Sequence, residues 1–275
     1  MKKILLAFDG SHFSEASLDF ARKLNEKEPI TLTGAFLPFV DFANLWSMAS
    51  AEIPAHGTVP LVEESTSKEV LHNIHRFESF CRQNGIKFKT HSQYLNFAIP
   101  ELKMESRFAD LLIVSSEEFY KQAGTDLSNF YLKEILHGLE CPLVVIPEKK
   151  VFPSANILTY DGTAASVYAI RQFAYLFPEF TKHPTTILYT ASASEPGWPH
   201  DEQIRELVKA HFTQVKWEIL VLATKDLLSA WLMEHKDAIV VSGSFGRSEF
   251  SMFFKKSFIA DAINEHELPV FIAHK

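Results

Sequence analysis

The sequence predicts an α/β protein built from two tandem doubly wound domains, residues 1–150 and 151–275, each with a five-stranded parallel sheet. Three observations predict it. The chain repeats itself, each copy alternates apolar strands with amphipathic helical stretches, and the last two strands of each copy are continuous apolar runs. Such runs belong to parallel strands covered on both faces, and strand–helix alternation is the pattern of a parallel sheet wound with helices. A length of 275 residues lets each copy bury a core of its own.

The repeat is clearest where each copy begins. Lys3-Ile4-Leu5-Leu6-Ala7-Phe8-Asp9-Gly10-Ser11 is echoed by Asn156-Ile157-Leu158-Thr159-Tyr160-Asp161-Gly162-Thr163: an apolar strand, then Asp-Gly and a small hydroxyl residue. Helical spacing follows in both, through Phe13, Ala16, Ser17, Phe20, Ala21 and Leu24 and through Val167, Ile170, Phe173, Ala174 and Phe177. Ser11 and Thr163 stand where helix N-caps belong.

Second strands are expected at Ile30–Leu37 and residues 185–190, and third strands at residues 86–90 and 215–220. Helices are expected between them at residues 68–84 and 202–212, with Asn84-Gly85 as a C-terminal cap. The fourth and fifth strands are Leu111–Ser115 with Leu143–Ile146, and residues 239–242 with 270–272. Aligned without a gap, Asp110 meets Asp237 and Cys141 meets Leu268, each 127 residues apart, whereas the two starts, Ile4 and Asn156, are 152 apart. The first copy therefore holds about 25 extra residues, assigned to a loop or lid at residues 38–67.

Composition narrows the function classes. With 47% hydrophobic residues, 22% charged residues and 24 Phe, the chain is a packed globular protein. Lys and Arg total 27 against 34 Asp and Glu, and a net charge of −7 argues against nucleic-acid binding. Cys81 and Cys141 form neither a disulfide framework nor a C-x-x-C pair and read as buried thiols in a reducing compartment. The apolar run Ile4 to Phe8 is shorter than a signal peptide needs, and no stretch approaches a membrane span, so a soluble, cytoplasmic protein without a membrane partner is expected.

In open sheets of this kind ligands bind beyond the carboxyl ends of the strands, where the strand order reverses. In the second copy that crevice is lined by Asp161, Gly162 and Thr163 and by the run Gly243-Ser244-Phe245-Gly246-Arg247. Two glycines three apart between a buried strand and a helix bring backbone N–H groups close to an anion, and Arg247 and Lys256 add positive charge.

The strand-Asp start, the glycine loop after strand four and the closing Cys141-Pro142-Leu143-Val144-Val145-Ile146-Pro147 strand resemble the universal stress protein family in tandem arrangement. In nucleotide-binding members the motif is Gly, two residues, Gly, nine residues, then Gly followed by Ser or Thr; it wraps the ATP phosphates, and the Asp after strand one lies near the adenosine. By that resemblance Gly243, Gly246, Arg247, Lys256 and Ser257 line a phosphate loop and Asp161, Gly162 and Thr163 its other wall, with ATP and Mg as the ligands implied. Lys256 replaces the third glycine. At the corresponding positions of the first copy stand Ser116, Phe119, Asn129 and Phe130, with Glu117 and Glu118 between, a set that repels a polyphosphate. The resemblance further implies that the two fifth strands pair, making the chain an intramolecular pseudo-dimer.

Catalytic constellations are scarce. Asp9-Gly10-Ser11-His12 holds triad residue types, yet neighbours in sequence rarely converge in space, and no nucleophile elbow follows a strand. His72 and His75, three apart on a helix, read as solvent-facing rather than metal-binding, and the Phe-rich run from Phe245 to Phe258 reads as packing. The expectation is a non-catalytic stress-response module binding an adenine nucleotide in its second domain. The alternatives are a structural or interaction protein without nucleotide and, further off, a nucleotide hydrolase or adenylyl-transfer enzyme.

Overall fold

The computed structural model describes residues 1–9, 13–37, 64–91, 98–116, 139–148, 152–191, 197–221, 230–243 and 268–273. The first run of the chain forms β1 (Lys2–Asp9), α1 (Glu15–Lys27), β2 (Ile30–Leu37), α2 (Glu64–Gln83), β3 (Lys87–His91), α3 (Ala98–Ser106), β4 (Leu111–Ser115) and β5 (Leu143–Ile146). The second forms β6 (Ala155–Tyr160), α4 (Ala164–Leu176), a 3₁₀ turn at Phe180–Lys182, β7 (Thr185–Ala191), α5 (Asp201–His211), β8 (Val215–Val221), β9 (Ala238–Gly243) and β10 (Val270–Ala273). Every predicted strand is present. Helix α3 has no counterpart among the predicted elements, because its short, weakly amphipathic sequence offers no periodicity to read.

All ten strands join one sheet in the order β3-β2-β1-β4-β5-β10-β9-β6-β7-β8. Each half thus runs 3-2-1-4-5, a doubly wound order with its reversal between the first and fourth strands. Pairing is parallel throughout each half and antiparallel only where β5 meets β10, with Val144 opposite Phe271 and Val145 opposite Val270. That pairing covers two short apolar edges that would otherwise template aggregation.

The two faces of the sheet carry the core, and neither core stops at the seam. Ile4, Leu6 and Phe8, the inner faces of α1 and α2, and Val144 belong to the same buried cluster as Leu158, Tyr160, Phe173 and Phe271. On the opposite face Leu5, Leu112 and Val145 share a cluster with Ile157, Val240 and Val270. The stretch between the halves is tied in as well: Phe152 lies 5.1 Å from Phe20 and 5.3 Å from Phe180, ring centre to ring centre. Each fully buried Phe of this layer contributes about 2–3 kcal/mol of hydrophobic free energy.

The ungapped alignment of the two copies is corrected by one residue at the fourth strand. In the sheet, Ile4 pairs with Leu111 while its counterpart Asn156 pairs with Ile239, so β4 and β9 correspond at an offset of 128. Packing agrees, since Leu111 and Ile113 share a face with Ile239 and Val241, and Leu112 and Val114 with Ala238 and Val240. A one-residue slip exchanges the faces of a strand, but a strand apolar on both faces carries no alternation that would reveal it in sequence.

The N-cap of α1 is also corrected. Ser14, not Ser11, caps it, its hydroxyl accepting from Ser17 N at 3.1 Å. Thr163 caps α4 as expected. Three more residues therefore separate Asp9 from Ser14 than Asp161 from Thr163. Gly85 closes α2 with φ +63°, and Ile86 N donates to Cys81 O at 2.9 Å. Of the assigned insertion, residues 64–67 belong to α2, and residues 38–63 lie outside the described residues.

Candidate functional site

The carboxyl ends of β6 and β9 lie side by side at the reversal point of the second half, as those of β1 and β4 do in the first. Asp161, Gly162 and Thr163 form the turn from β6 into α4. The Asp161 carboxylate accepts from Thr163 N at 3.0 Å and from the Thr163 hydroxyl at 2.6 Å, and that hydroxyl accepts from Ser166 N at 3.3 Å. Gly162 adopts φ +76°, where a side chain is strained, and a Cβ there would stand 2.6 Å from Pro199. The predicted polar groups of this turn are thus engaged in starting α4.

Gly243 ends β9. A Cβ on it would meet the carbonyl carbon and oxygen of Ala165 at 2.5 Å and Ser166 N at 2.7 Å, so the missing side chain is what lets the first turn of α4 close against the strand. The spaces beside Gly162 and Gly243 are both filled by the chain itself. Gly246, Arg247, Lys256 and Ser257, the rest of the expected phosphate loop, lie outside the described residues, as does the Phe-rich run.

Beside this turn stands an aromatic group that sequence reasoning missed. Trp198, ahead of α5, lies 6.2 Å from Tyr160 and 5.5 Å from Tyr189, and meets Trp217 of β8 edge-on at 5.1 Å, with the Arg205 guanidinium over the Trp217 ring at 4.4 Å. The Tyr160 hydroxyl donates to Pro199 O at 2.7 Å. Burial, and next the Asp161 charge, push the Tyr160 phenol up from its usual value.

The first half fills its crevice differently. Sheet register makes Ser115 the counterpart of Gly243, and the caps make Ala16 the counterpart of Ala165. The Ser115 hydroxyl donates to Glu148 Oε1 at 2.7 Å, and Glu148 Oε2 faces Ala16 N at 3.5 Å. A carboxylate therefore spans the gap that direct contact closes in the second half. Glu148 lies 33 residues from Ser115 and 132 from Ala16, a convergence with no local signal. Ser116, which the ungapped alignment sets at the glycine position, is buried one residue beyond it, while Glu117, Glu118, Phe119, Asn129 and Phe130 lie outside the described residues.

Other candidates resolve simply. Cys81 and Cys141 are buried free thiols, each pushed up to about 12 by burial, so neither is a nucleophile at neutral pH. His72 and His75 are exposed. Among the described residues no group of three or more His, Cys, Asp or Glu is arranged to hold a metal ion, and no helix is long and apolar enough to cross a membrane.

No protein-family model matches the chain, and no curated protein does. Solved structures do. A universal stress protein from Archaeoglobus fulgidus superposes with a TM-score of 0.73 at 13% identity, over 100% of this chain and 96% of that one. A putative universal stress protein from Pseudomonas aeruginosa gives 0.54 at 10% identity, over 100% and 93%. Likeness at such identities is likeness of fold, and the chain carries the doubly wound α/β fold of the universal stress proteins.

Proposed function

We propose that the chain is a tandem universal-stress-type module, units 1–150 and 151–275 acting as an internal pseudo-dimer, in which only the second unit binds an adenine nucleotide, as a non-catalytic cytoplasmic sensor. One observation carries the one-site reading: where β9 ends in Gly243 and runs on toward Gly246, Arg247, Lys256 and Ser257, β4 ends in Ser115 bonded to the Glu148 carboxylate. A carboxylate at that strand end repels phosphate. The second loop adds two cations, Arg247 and Lys256, and the reading gives Mg the role of neutralising the remaining phosphate charge.

Isothermal titration of the full chain with ATP and Mg tests it. One site per chain is expected, lost in Gly246→Glu, whose side chain fills the backbone approach and adds a like charge. Two sites per chain, or unchanged affinity in the variant, would remove it. A second reading, an interaction protein without nucleotide, is favoured by the Pro199 and Ala165 contacts that fill the space beside both described glycines. Absence of heat at high micromolar ATP selects it. Phosphate release that disappears in Gly246→Glu would select the hydrolase instead.

A further inference from the structure

We infer that the outer edge of β8 pairs antiparallel with β8 of a second copy of this chain, about a dyad at Trp217. The sheet ends in β3 on one side and in β8 on the other, and no strand among the described residues covers either edge. An open edge is a template for another strand, and proteins that keep an edge free blunt it with lysines or keep it short. The two edges of this sheet differ in that respect.

β3 has five residues, Lys87-Phe88-Lys89-Thr90-His91, and a symmetric pairing centred on Lys87, Phe88 or Lys89 sets lysine against lysine. β8 has seven, Val215-Lys216-Trp217-Glu218-Ile219-Leu220-Val221, with opposite charges on either side of Trp217. In an antiparallel pairing centred there, Lys216 of each copy stands opposite Glu218 of the other. Val215 then faces Ile219, a side chain left 38% exposed in the single chain.

The backbone permits this register. Gln214 O accepts from Thr185 N at 2.8 Å, so along the parallel ladder the backbone groups of Gln214, Lys216 and Glu218 face β7. Those of Val215, Trp217 and Ile219 face outward, and a dyad at Trp217 sets outward residue against outward residue. A dyad at Lys216 or at Glu218 would do the same for the backbone, but it would bring a charge against its own copy. Charge therefore selects Trp217.

The side chains are in place for it. Lys216 is 71% exposed and bonds Glu218 of its own strand, whose other oxygen accepts from Trp231 Nε1 at 2.7 Å. Burial pushes the Glu218 carboxyl up, but the bonds from Lys216 and Trp231 outweigh it and hold the group below its ordinary value, so it stays charged. An exposed ion pair such as Lys216 with Glu218 is weak, and its lysine is free to exchange for the second copy's carboxylate. On the opposite face the dyad sets Trp217 against its own copy. Trp217 meets Trp198 at 5.1 Å, so the aromatic groups beside the two candidate sites become neighbours. The inference goes beyond the nucleotide reading and needs no ligand bound in either half.

Analytical ultracentrifugation of the full chain at micromolar concentration tests it, and a dimer is expected. Lys216→Glu and Glu218→Lys should each weaken the dimer tenfold or more, and mixing the two variants one to one should restore it, because opposite charges again face each other across the dyad. Ile219→Pro removes an outward N–H, leaves the ladder with β7 intact, and should be monomeric with the far-UV circular dichroism of its parent. Should Glu218→Lys not fold without its bond to Trp231, Lys216→Glu and Ile219→Pro decide alone. A monomeric parent, a dimer that survives either of these two variants, folded charge variants that stay apart when mixed, or association that grows beyond a dimer would overturn the inference.

Discussion

At the same point of the sheet the two halves place different aromatic rings under different covers. In the first, Phe8 and Phe36 stack 4.9 Å apart and Phe13, just ahead of α1, stacks on Phe8 at 5.1 Å with the Arg76 guanidinium 4.0 Å from its ring centre. In the second, Tyr160 and Tyr189 hold the paired positions of Phe8 and Phe36, and their cover is Trp198, brought from the chain ahead of α5. The strands are equivalent; the loops are not. The cap of α1 stands three residues further along from its strand-end Asp than the cap of α4 does; Phe13 covers the first half, while α4 lies against Gly243 and the cover of the second half comes from a different connection. The strand-end residue, Ser115 or Gly243, and the length of the turn into the helix both differ between the two crevices.

The largest expected effect comes from separating what is being compared. Because β5 and β10 pair and both cores cross the seam, fragments 1–150 and 151–275 expressed apart should self-associate or aggregate, and should combine one to one when mixed. Analytical ultracentrifugation reads this directly, and two monomeric fragments without affinity for each other would break the picture.

Next is the strand-end contrast itself. Gly243→Val drives a side chain into the backbone of Ala165 and should cost about 3 kcal/mol in urea denaturation at unchanged m-value. Ser115→Gly, at the equivalent site, removes a hydrogen bond to a carboxylate and should cost about 2 kcal/mol. Similar losses from both would mean that the two crevices are not closed by different means.

The smallest effect lies at the seam. Burial, and then the charge of Lys27 from the other half, hold His183 below its ordinary value of 6.5, with Glu179 opposing. Below pH 6.5 the unfolded chain takes up a proton that folded His183 resists, so this contribution is complete above 6.5 and is lost as the pH falls toward the depressed folded value. His183→Phe, which keeps the stacking on Phe180, should flatten the fall in urea midpoint over that window. A slope unchanged from the parent would assign the acid sensitivity elsewhere.

The sequence by itself determined the strands, their alternation with helices, and the glycine-bearing turns, because these rest on local periodicity and on backbone conformations that few residues adopt. Ile30–Leu37, Leu111–Ser115 and Leu143–Ile146 end in the structure where their apolar runs end. Only the tertiary structure decided which residues of β9 correspond to those of β4, through the register of each against the first strand of its own half, since a strand buried on both faces reads alike one residue either way. It also decided the purpose of the described site residues. Gly243 is a glycine because α4 lies against it, and Asp161 and Thr163 spend their polar atoms starting that helix. Glu148 shows why the rest was illegible: a carboxylate carries no sign in sequence of which hydroxyl and which helix end, 33 and 132 residues away, the fold will bring to it.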